Sequence, residues 1–129
     1  MKKAGIFLLC VSAVTLALLV SSVRPEQANI LRVSTYHEYI DGVAHCRVEI
    51  DTYTTTMIDN VSVELCLFDN DQWITLKRWE DVPVEKFELG FYETVEHVER
   101  GYTYRLTVSA DVCRDGKFES ASFYHDVKY

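Results

Sequence analysis

Apolar and polar residues alternate along most of the chain after residue 29, and this period of two predicts β-strands rather than helices. Residues 43–53 show the pattern most clearly. Their apolar phase comprises Ala44, Cys46, Val48 and Ile50. Their polar phase comprises His45, Arg47, Glu49 and Asp51. Such a segment is typical of a strand with one face in the core and the other in solvent.

Seven segments of this kind follow one another, separated by turn signals. They cover residues 30–36, 43–53, 61–68, 72–79, 86–97, 102–112 and 117–127. The dipeptide Asp-Gly at 41–42 and at 115–116 favours tight hairpins, as does Asp-Asn-Asp at 69–71. Gly90 indicates a bulge in the fifth segment. The pattern predicts an all-β fold, a seven-stranded antiparallel β-sandwich.

The first residues have the layout of a secretory signal peptide. Two lysines precede an apolar run at residues 6–20, which is short for a membrane span. Small residues around Ser22 favour cleavage after that serine. We expect a signal peptide at 1–22, an extended lead-in at 23–29 and the sandwich domain at 30–129. This organisation predicts a secreted, extracellular or cell-surface protein that meets the membrane only before cleavage, with an uncleaved anchor as the alternative.

The composition is that of an acidic globular protein. The 129 residues are 48% hydrophobic and 26% charged, with 20 acidic against 13 basic side chains and a formal charge of −7. Removal of residues 1–22 would take away two lysines and no acid, which leaves a charge of −9. Because an acidic chain without a basic cluster repels phosphate backbones, we expect no binding to nucleic acid.

One stretch resembles a known family. The sequence RGYTYRLTVSA at residues 100–110 is followed by Gly116 and by Ser-Ala-Ser at 120–122. It is similar to the F and G strands of fibronectin type III domains, although residues 43–53 lack the tryptophan usual in that family. The resemblance implies a fibronectin type III-like, or immunoglobulin-like, sandwich. With its signal peptide, the chain also looks like small secreted proteins of Gram-positive bacteria. Neither likeness implies an activity, because sandwich folds host many unrelated functions.

The sequence contains no motif that predicts catalysis or metal binding. It lacks a Gly-x-Ser-x-Gly elbow, and Cys46 lies in an apolar phase, where a thiol acts as a small hydrophobic group. None of the four histidines has a second ligand at the short spacing typical of zinc sites. The Asp-Asn-Asp at 69–71 lacks the rest of a calcium loop. We therefore expect no enzyme activity, no metal and no cofactor.

Cleavage would leave three cysteines, Cys46, Cys66 and Cys113, and an odd number leaves at least one thiol unpaired or intermolecular. Cys46 shares the apolar phase of its strand, whereas Cys113 is out of phase with its apolar neighbours. A bridge between these two is therefore not expected. Cys66 and Cys113 both point outward and form the better pair, but we expect no disulfide.

Large aromatic residues are the remaining candidates for a binding site. Trp73 and Trp79 lie an even number of residues apart on one predicted strand, which predicts a common face. The tyrosines in outward or loop-adjacent phases are Tyr36, Tyr39, Tyr53 and Tyr92. Exposed rings stack on sugars or anchor protein interfaces. We take Trp73, Trp79 and Tyr92 as candidate ligand-binding residues. The structural alternative packs Trp79 over the sandwich edge, where it caps the core, and places Trp73 over the hairpin.

Two hypotheses for function follow. The first is a secreted, non-enzymatic binding or structural module whose partner is an unknown protein or polysaccharide. The alternative is a small carbohydrate-binding protein that uses the exposed aromatic residues.

Overall fold

A computed structural model describes residues 30–53, 56–85 and 88–129, so the predicted signal peptide and lead-in lie outside the described residues. The strands in chain order are β1 Ile30–Ile40, β2 Val43–Thr52, β3 Thr56–Asp69, β4 Gln72–Trp79, β5 Glu88–Glu96, β6 Thr103–Arg114 and β7 Lys117–Lys128. The prediction of an all-β chain with seven strands is confirmed for this part of the sequence. Within the same ranges, no helix is long and apolar enough to cross a membrane.

The strands form two antiparallel sheets that pack as a sandwich. One sheet has three strands in the order β1-β2-β5, and the other has four in the order β4-β3-β6-β7. Hairpins join β1 to β2, β3 to β4 and β6 to β7, whereas the β2–β5 and β3–β6 pairs bring together segments that are distant in sequence. The sheets therefore depend on both local turns and long-range pairing.

The core lies between the sheets and consists of the inward phase of each strand. In β6 every second residue from Tyr104 to Val112 is buried, which follows the predicted alternation. Val48 of β2 and Leu106 of β6, which share the predicted inward phases, are fully buried. Each aliphatic side chain of this kind contributes about 1.5–3 kcal/mol when it leaves water. The alternating pattern therefore accounts for the packing of the two sheets.

The three hairpin turns have the same backbone geometry. Their central residues have positive φ angles: 50° and 78° at residues 41–42, 56° and 60° at 70–71, and 55° and 79° at 115–116. Positive φ at both positions is the feature of type I′ turns, whose twist matches that of the flanking strands. Asp, Asn and Gly tolerate this region best, so the turn signals in the sequence identified the hairpins correctly.

The sheets contain bulges at positions that the sequence did not indicate. Gly90 pairs in regular register with Glu49, so the bulge predicted at Gly90 is wrong. The register shifts instead in β3 between Asp59 and Ser62, and in the β3–β4 pair, where Leu76 is an extra residue on β4. An extra residue reverses which face the following side chains point to.

Side chains between β1 and β7 close one long edge of the sandwich. His37 is buried; its Nε2 lies 2.8 Å from the carbonyl oxygen of His125, and its Nδ1 lies 2.6 Å from the Tyr39 hydroxyl. Because a carbonyl only accepts, we assign the proton to Nε2, so Tyr39 donates to Nδ1. Burial, with a smaller effect of His125, lowers the pKa of His37 to about 3. Tyr39 lies next to the β1–β2 turn but packs against the core, so its side chain does not point outward.

A buried tyrosine fixes the connection between β5 and β6. The Tyr104 hydroxyl accepts a hydrogen bond from the backbone N–H of Glu99 at 2.9 Å and donates one to the carbonyl oxygen of the same residue at 2.6 Å. Its ring packs 4.7 Å from that of Tyr39. The hydroxyl is therefore satisfied although the ring is almost fully buried.

Candidate functional site

The three residues predicted as a binding site occupy three different layers of the sandwich. Trp79 lies opposite the buried Val63 and is partly buried against the core. Trp73 lies opposite the exposed Phe68 on the outer face of the four-stranded sheet. Tyr92 lies on the outer face of the three-stranded sheet. The tryptophans separate because the bulge in β4 falls between them, so the prediction that they share a face is wrong.

Trp79 connects the two sheets. Its ring centroid lies 5.1 Å from that of Phe91 on β5, with the ring planes at 70°, an edge-to-face contact. Phe91 is part of the buried core. This contact supports the structural alternative for Trp79 and leaves little of its ring free for a ligand.

Trp73 belongs to a cluster that we name the Arg105 clamp, formed by Trp73, Arg105, Tyr124 and Asp126. The Arg105 guanidinium carbon lies 4.2 Å from the Trp73 ring centroid and 3.9 Å from that of Tyr124. Its Nε and Nη2 donate to the two Asp126 carboxylate oxygens at 2.8 and 2.9 Å. Both its charge and its flat faces are therefore satisfied by the protein's own groups.

Trp73 also covers the hairpin between β3 and β4. Its ring centroid lies 4.9 Å from that of Phe68, directly across the strand pair. This contact agrees with the structural alternative for Trp73. A ligand at this face would have to displace Arg105 or Phe68 from the ring surfaces that they already occupy.

A second arginine lies between two aromatic residues on the outer face of the three-stranded sheet. We name Tyr36, Arg47 and Tyr92 the tyrosine row, because Arg47 pairs directly with Tyr36 on β1 and with Tyr92 on β5. The two tyrosines therefore stand two strand spacings apart, about 10 Å. Their side chains remain 47% and 53% exposed, respectively. The row brings two open rings and a cation to one flat surface.

The hydroxyl groups of the tyrosine row are held by neighbouring side chains. The Tyr36 hydroxyl donates to Glu38 at 2.9 Å, and this bond raises the pKa of Tyr36. His45 Nδ1 lies 2.8 Å from the Tyr92 hydroxyl. Arg47 approaches the Tyr92 ring at 5.6 Å and forms no ion pair with any residue that the structure describes. The rings are thus positioned while Arg47 remains available.

Two further rows of the same outer face lie beside the tyrosine row. The next row across the three strands is Ser34, Glu49 and Gly90, and the row after it is Arg32, Asp51 and Glu88. A side-chain carbon on Gly90 would meet no atom within 4 Å, so the surface is open at this residue. We name the three rows together the tyrosine groove. Its first row carries the two aromatic rings, and its middle row carries the Glu49 carboxylate between two small residues.

The two buried thiols, Cys46 and Cys66, are not activated as nucleophiles. Burial raises the pKa of Cys46 to about 12 and also raises the pKa of Cys66, so both thiols are protonated at neutral pH. Cys66 faces the outer side as predicted, yet it is only 7% exposed because β4 and the Arg105 clamp cover it. Cys46, Cys66 and Cys113 are all free thiols in this structure.

Polar groups elsewhere in the described part of the chain form hydrogen-bonded clusters rather than a metal centre. No cluster of three or more His, Cys, Asp or Glu side chains there could hold a metal ion. A shallow depression on β6 and β7 contains Asp111, whose carboxylate accepts hydrogen bonds from Asn60 at 2.9 Å and Ser120 at 2.7 Å. These bonds lower the pKa of Asp111 and occupy both of its carboxylate oxygens.

Comparison with known proteins gives little guidance. No family model matches the chain, and no curated protein matches it. Among solved structures, the chain is similar to Spo0M, the sporulation control protein from Bacillus subtilis, with a TM-score of 0.43 and 13% identity. That alignment covers 75% of this chain and 49% of the other, so this chain spans about half the length of that protein. At this TM-score the likeness carries no argument for function.

The sequence pattern predicts one of the two rings of the tyrosine groove, Tyr92, as a site residue. It also predicts the outward phases of Tyr36, Arg47 and Glu49. Their position in adjacent rows depends on the β1–β2 and β2–β5 registers, which a single sequence does not specify. The Asp41-Gly42 turn could have fixed the first register, because a two-residue turn sets which residues face each other.

Proposed function

We propose that this chain is a secreted, non-enzymatic binding module with a fibronectin type III-like sandwich, and that its partner binds at the tyrosine groove. The observation that carries the proposal is the tyrosine row. Two exposed rings are held in place through their hydroxyl groups beside the unpaired Arg47. Tyrosine and arginine on a rigid surface are typical of binding sites, since they offer large contact area with little entropy to lose.

The strand order and one side-chain contact support the fibronectin type III-like assignment. A three-stranded sheet of the first, second and fifth strands packs on a sheet in which β3 pairs with both β4 and β6. Tyr104 at the start of β6 binds the backbone of Glu99 upstream, as the tyrosine corner of immunoglobulin-like sandwiches does. Both features agree with the resemblance of residues 100–110.

The proposal that the protein is secreted rests on the first 22 residues. A positive start, a short apolar run and small residues before the cleavage position favour export and removal of this segment. Intact-mass measurement on protein from the culture medium should give a chain that begins after Ser22. Recovery of the intact chain from the membrane fraction would contradict secretion.

The proposal that the module is not an enzyme rests on the state of its titratable groups. His37 is neutral and internally bonded, and the thiols of Cys46 and Cys66 are protonated. General acid–base and nucleophilic catalysis need groups whose pKa lies near the working pH and that reach a substrate. The exposed surface of the tyrosine groove instead offers stacking and hydrogen bonding.

A retention experiment tests the proposed function. Protein from the culture medium is mixed with insoluble cell-wall and plant polysaccharide preparations, some of which still carry bound protein. We expect retention of the natural chain and its loss in the double variant Tyr36→Ser, Tyr92→Ser. The matched control is Met57→Ser, Phe118→Ser, which removes two side chains that are 65% and 74% exposed on the other sheet. Equal retention of both double variants would contradict binding of the partner at the tyrosine groove.

A further inference from the structure

The ligand class can be inferred from the charges and spacing of the tyrosine groove, an inference that rests on the proposed function. Its three rows carry two guanidinium groups and three carboxylates, on Arg32, Arg47, Glu49, Asp51 and Glu88. Arg32 is already paired with Asp51. Among the remaining charged groups the carboxylates outnumber the guanidinium groups, and the whole chain has a formal charge of −7. An acidic ligand is therefore disfavoured, and a cationic one is favoured.

Glu49 is the central feature of this charge pattern. It lies in the middle strand, between Ser34 on one side and Gly90 on the other, and its side chain is exposed. It forms no hydrogen bond or ion pair with any residue in the described ranges. Because its neighbours across the sheet are a small side chain and none at all, a bulky cationic group can approach the carboxylate from above.

The tyrosine row favours a sugar chain over a peptide. Tyr36 and Tyr92 present two separate rings about 10 Å apart in one row, a distance that alternate units of an extended chain of linked hexoses can span. Arg47 lies between them and can donate hydrogen bonds to hydroxyl oxygens. A peptide with apolar side chains would need apolar pockets, and the three rows contain no aliphatic residue.

We infer that the tyrosine groove binds an oligosaccharide of amine-bearing hexoses, whose rings stack on Tyr36 and Tyr92 while one ammonium group pairs with Glu49. Arg47 contributes hydrogen bonds to the hydroxyl groups between the two stacked units. The inference names the ligand chemistry of the same surface that the proposed function uses.

Calorimetric titration with four probes tests this inference. The probes are hexamers of β-1,4-linked glucosamine, N-acetylglucosamine and glucose, and a hexalysine peptide. The glucosamine hexamer should bind most tightly, and added salt should weaken its binding. Glu49→Gln should lower the affinity about fivefold, the effect of one exposed ion pair. Tyr36→Ser and Tyr92→Ser should each lower it about three- to tenfold through lost stacking.

The matched control for the charge is Glu96→Gln. Glu96 is exposed on β5 of the same sheet but lies six residues from Gly90, about 20 Å along the strand. Its replacement removes the same charge and should leave the affinity for the glucosamine hexamer unchanged. An equal loss in the Glu49 and Glu96 variants would show a general effect of charge and would overturn the inference.

The remaining outcomes separate this inference from the proposed function. Equal binding of the glucosamine, N-acetylglucosamine and glucose hexamers overturns recognition of the amine. Hexalysine that binds as tightly as the glucosamine hexamer and keeps its affinity when both tyrosines are replaced would overturn the sugar ligand in favour of a basic peptide. In either case, retention on insoluble material that still requires Tyr36 and Tyr92 would keep the proposed function. Retention that does not require these two tyrosines would contradict both the inference and the proposed function.

Discussion

The two outer faces of the sandwich place an arginine between aromatic rings in different ways. On the four-stranded sheet, Arg105 has rings at 4.2 and 3.9 Å and both oxygens of Asp126 as partners. On the three-stranded sheet, Arg47 has one ring at 5.6 Å and no carboxylate partner in the described part of the chain. The same residue types therefore form a closed cluster on one face and an open surface on the other.

This difference separates groups that stabilise the fold from groups that remain free for a partner. A cation with a bidentate partner and two stacked rings has little to gain from a ligand, because every new contact replaces an existing one. An exposed cation beside two exposed rings loses only water when a ligand arrives. Exposed aromatic residues alone would not have distinguished the two faces, since both have them.

The largest expected effect concerns Trp79, which belongs to neither outer face. Trp79→Ala should lower the free energy of unfolding by about 3 kcal/mol, because it leaves a cavity beside Phe91 between the sheets. Trp73→Ala on the outer face should cost about 1 kcal/mol, mainly through lost contacts with Arg105 and Phe68. Urea melts of the two variants measure both values. Equal costs would contradict their placement in different layers.

Acid should weaken the contact that joins the two sheets. His37 stays neutral in the folded protein down to about pH 3, whereas the unfolded chain protonates it near pH 6.5. The unfolded state therefore binds more protons between these values, and stability falls as pH is lowered through this window. The loss is about 1.4 kcal/mol per pH unit, or about 2 kcal/mol between pH 7 and pH 5. His37→Gln should remove most of this dependence in urea melts at the two pH values, and an unchanged dependence would assign it to other groups.

The two arginines should differ in their effect on stability. Arg105→Ala should lower the free energy of unfolding by about 1–2 kcal/mol, since it leaves Asp126 unpaired and two rings without their partner. Arg47→Ala should change it by less than about 0.5 kcal/mol, as is usual for an exposed residue without an ion-pair partner. Thermal or urea melts of the two variants make the comparison directly. A similar cost for both would show that the two faces do not differ.

The smallest expected effect on stability is that of the tyrosine row itself. Tyr36→Ser and Tyr92→Ser should each change the free energy of unfolding by about 0.5 kcal/mol or less, because both rings are about half exposed. Chemical unfolding of the variants used for the retention experiment provides this measurement. A loss of several kcal/mol would mean that the rings stabilise the sheet, and their effect on binding would then need another explanation.

The strands were predictable because period two and the turn signals agree with each other. The inward phase of β2 and β6 and the three type I′ hairpins follow from this local information. The extra residue at Leu76 does not follow from this information, because the residue types around Leu76 are those of a regular strand. That one residue separates Trp73 from Trp79 and changes the candidate site.

The candidate site depended on a second kind of information that the sequence lacks. Arg47 joins Tyr36 and Tyr92 only through the pairing of β2 with both neighbours, and β5 is distant in sequence. The partner of Arg105 could not be predicted for the same reason, because Asp126 lies opposite Arg105 only through the β6–β7 register. Pairing between strands, rather than the character of each strand, therefore decides which side chains form a surface.

The three type I′ hairpins also bear on how the chain folds. Their turns can close in microseconds because only two residues separate the paired strands. The pairing of Met57 with Cys113 between β3 and β6 must instead close a loop of more than half the described chain. We therefore expect an overall folding time of milliseconds to seconds, as in other sandwiches dominated by distant pairs. In stopped-flow refolding, Val63→Ala at the β3–β6 seam should slow this phase more than a change in any of the three turns.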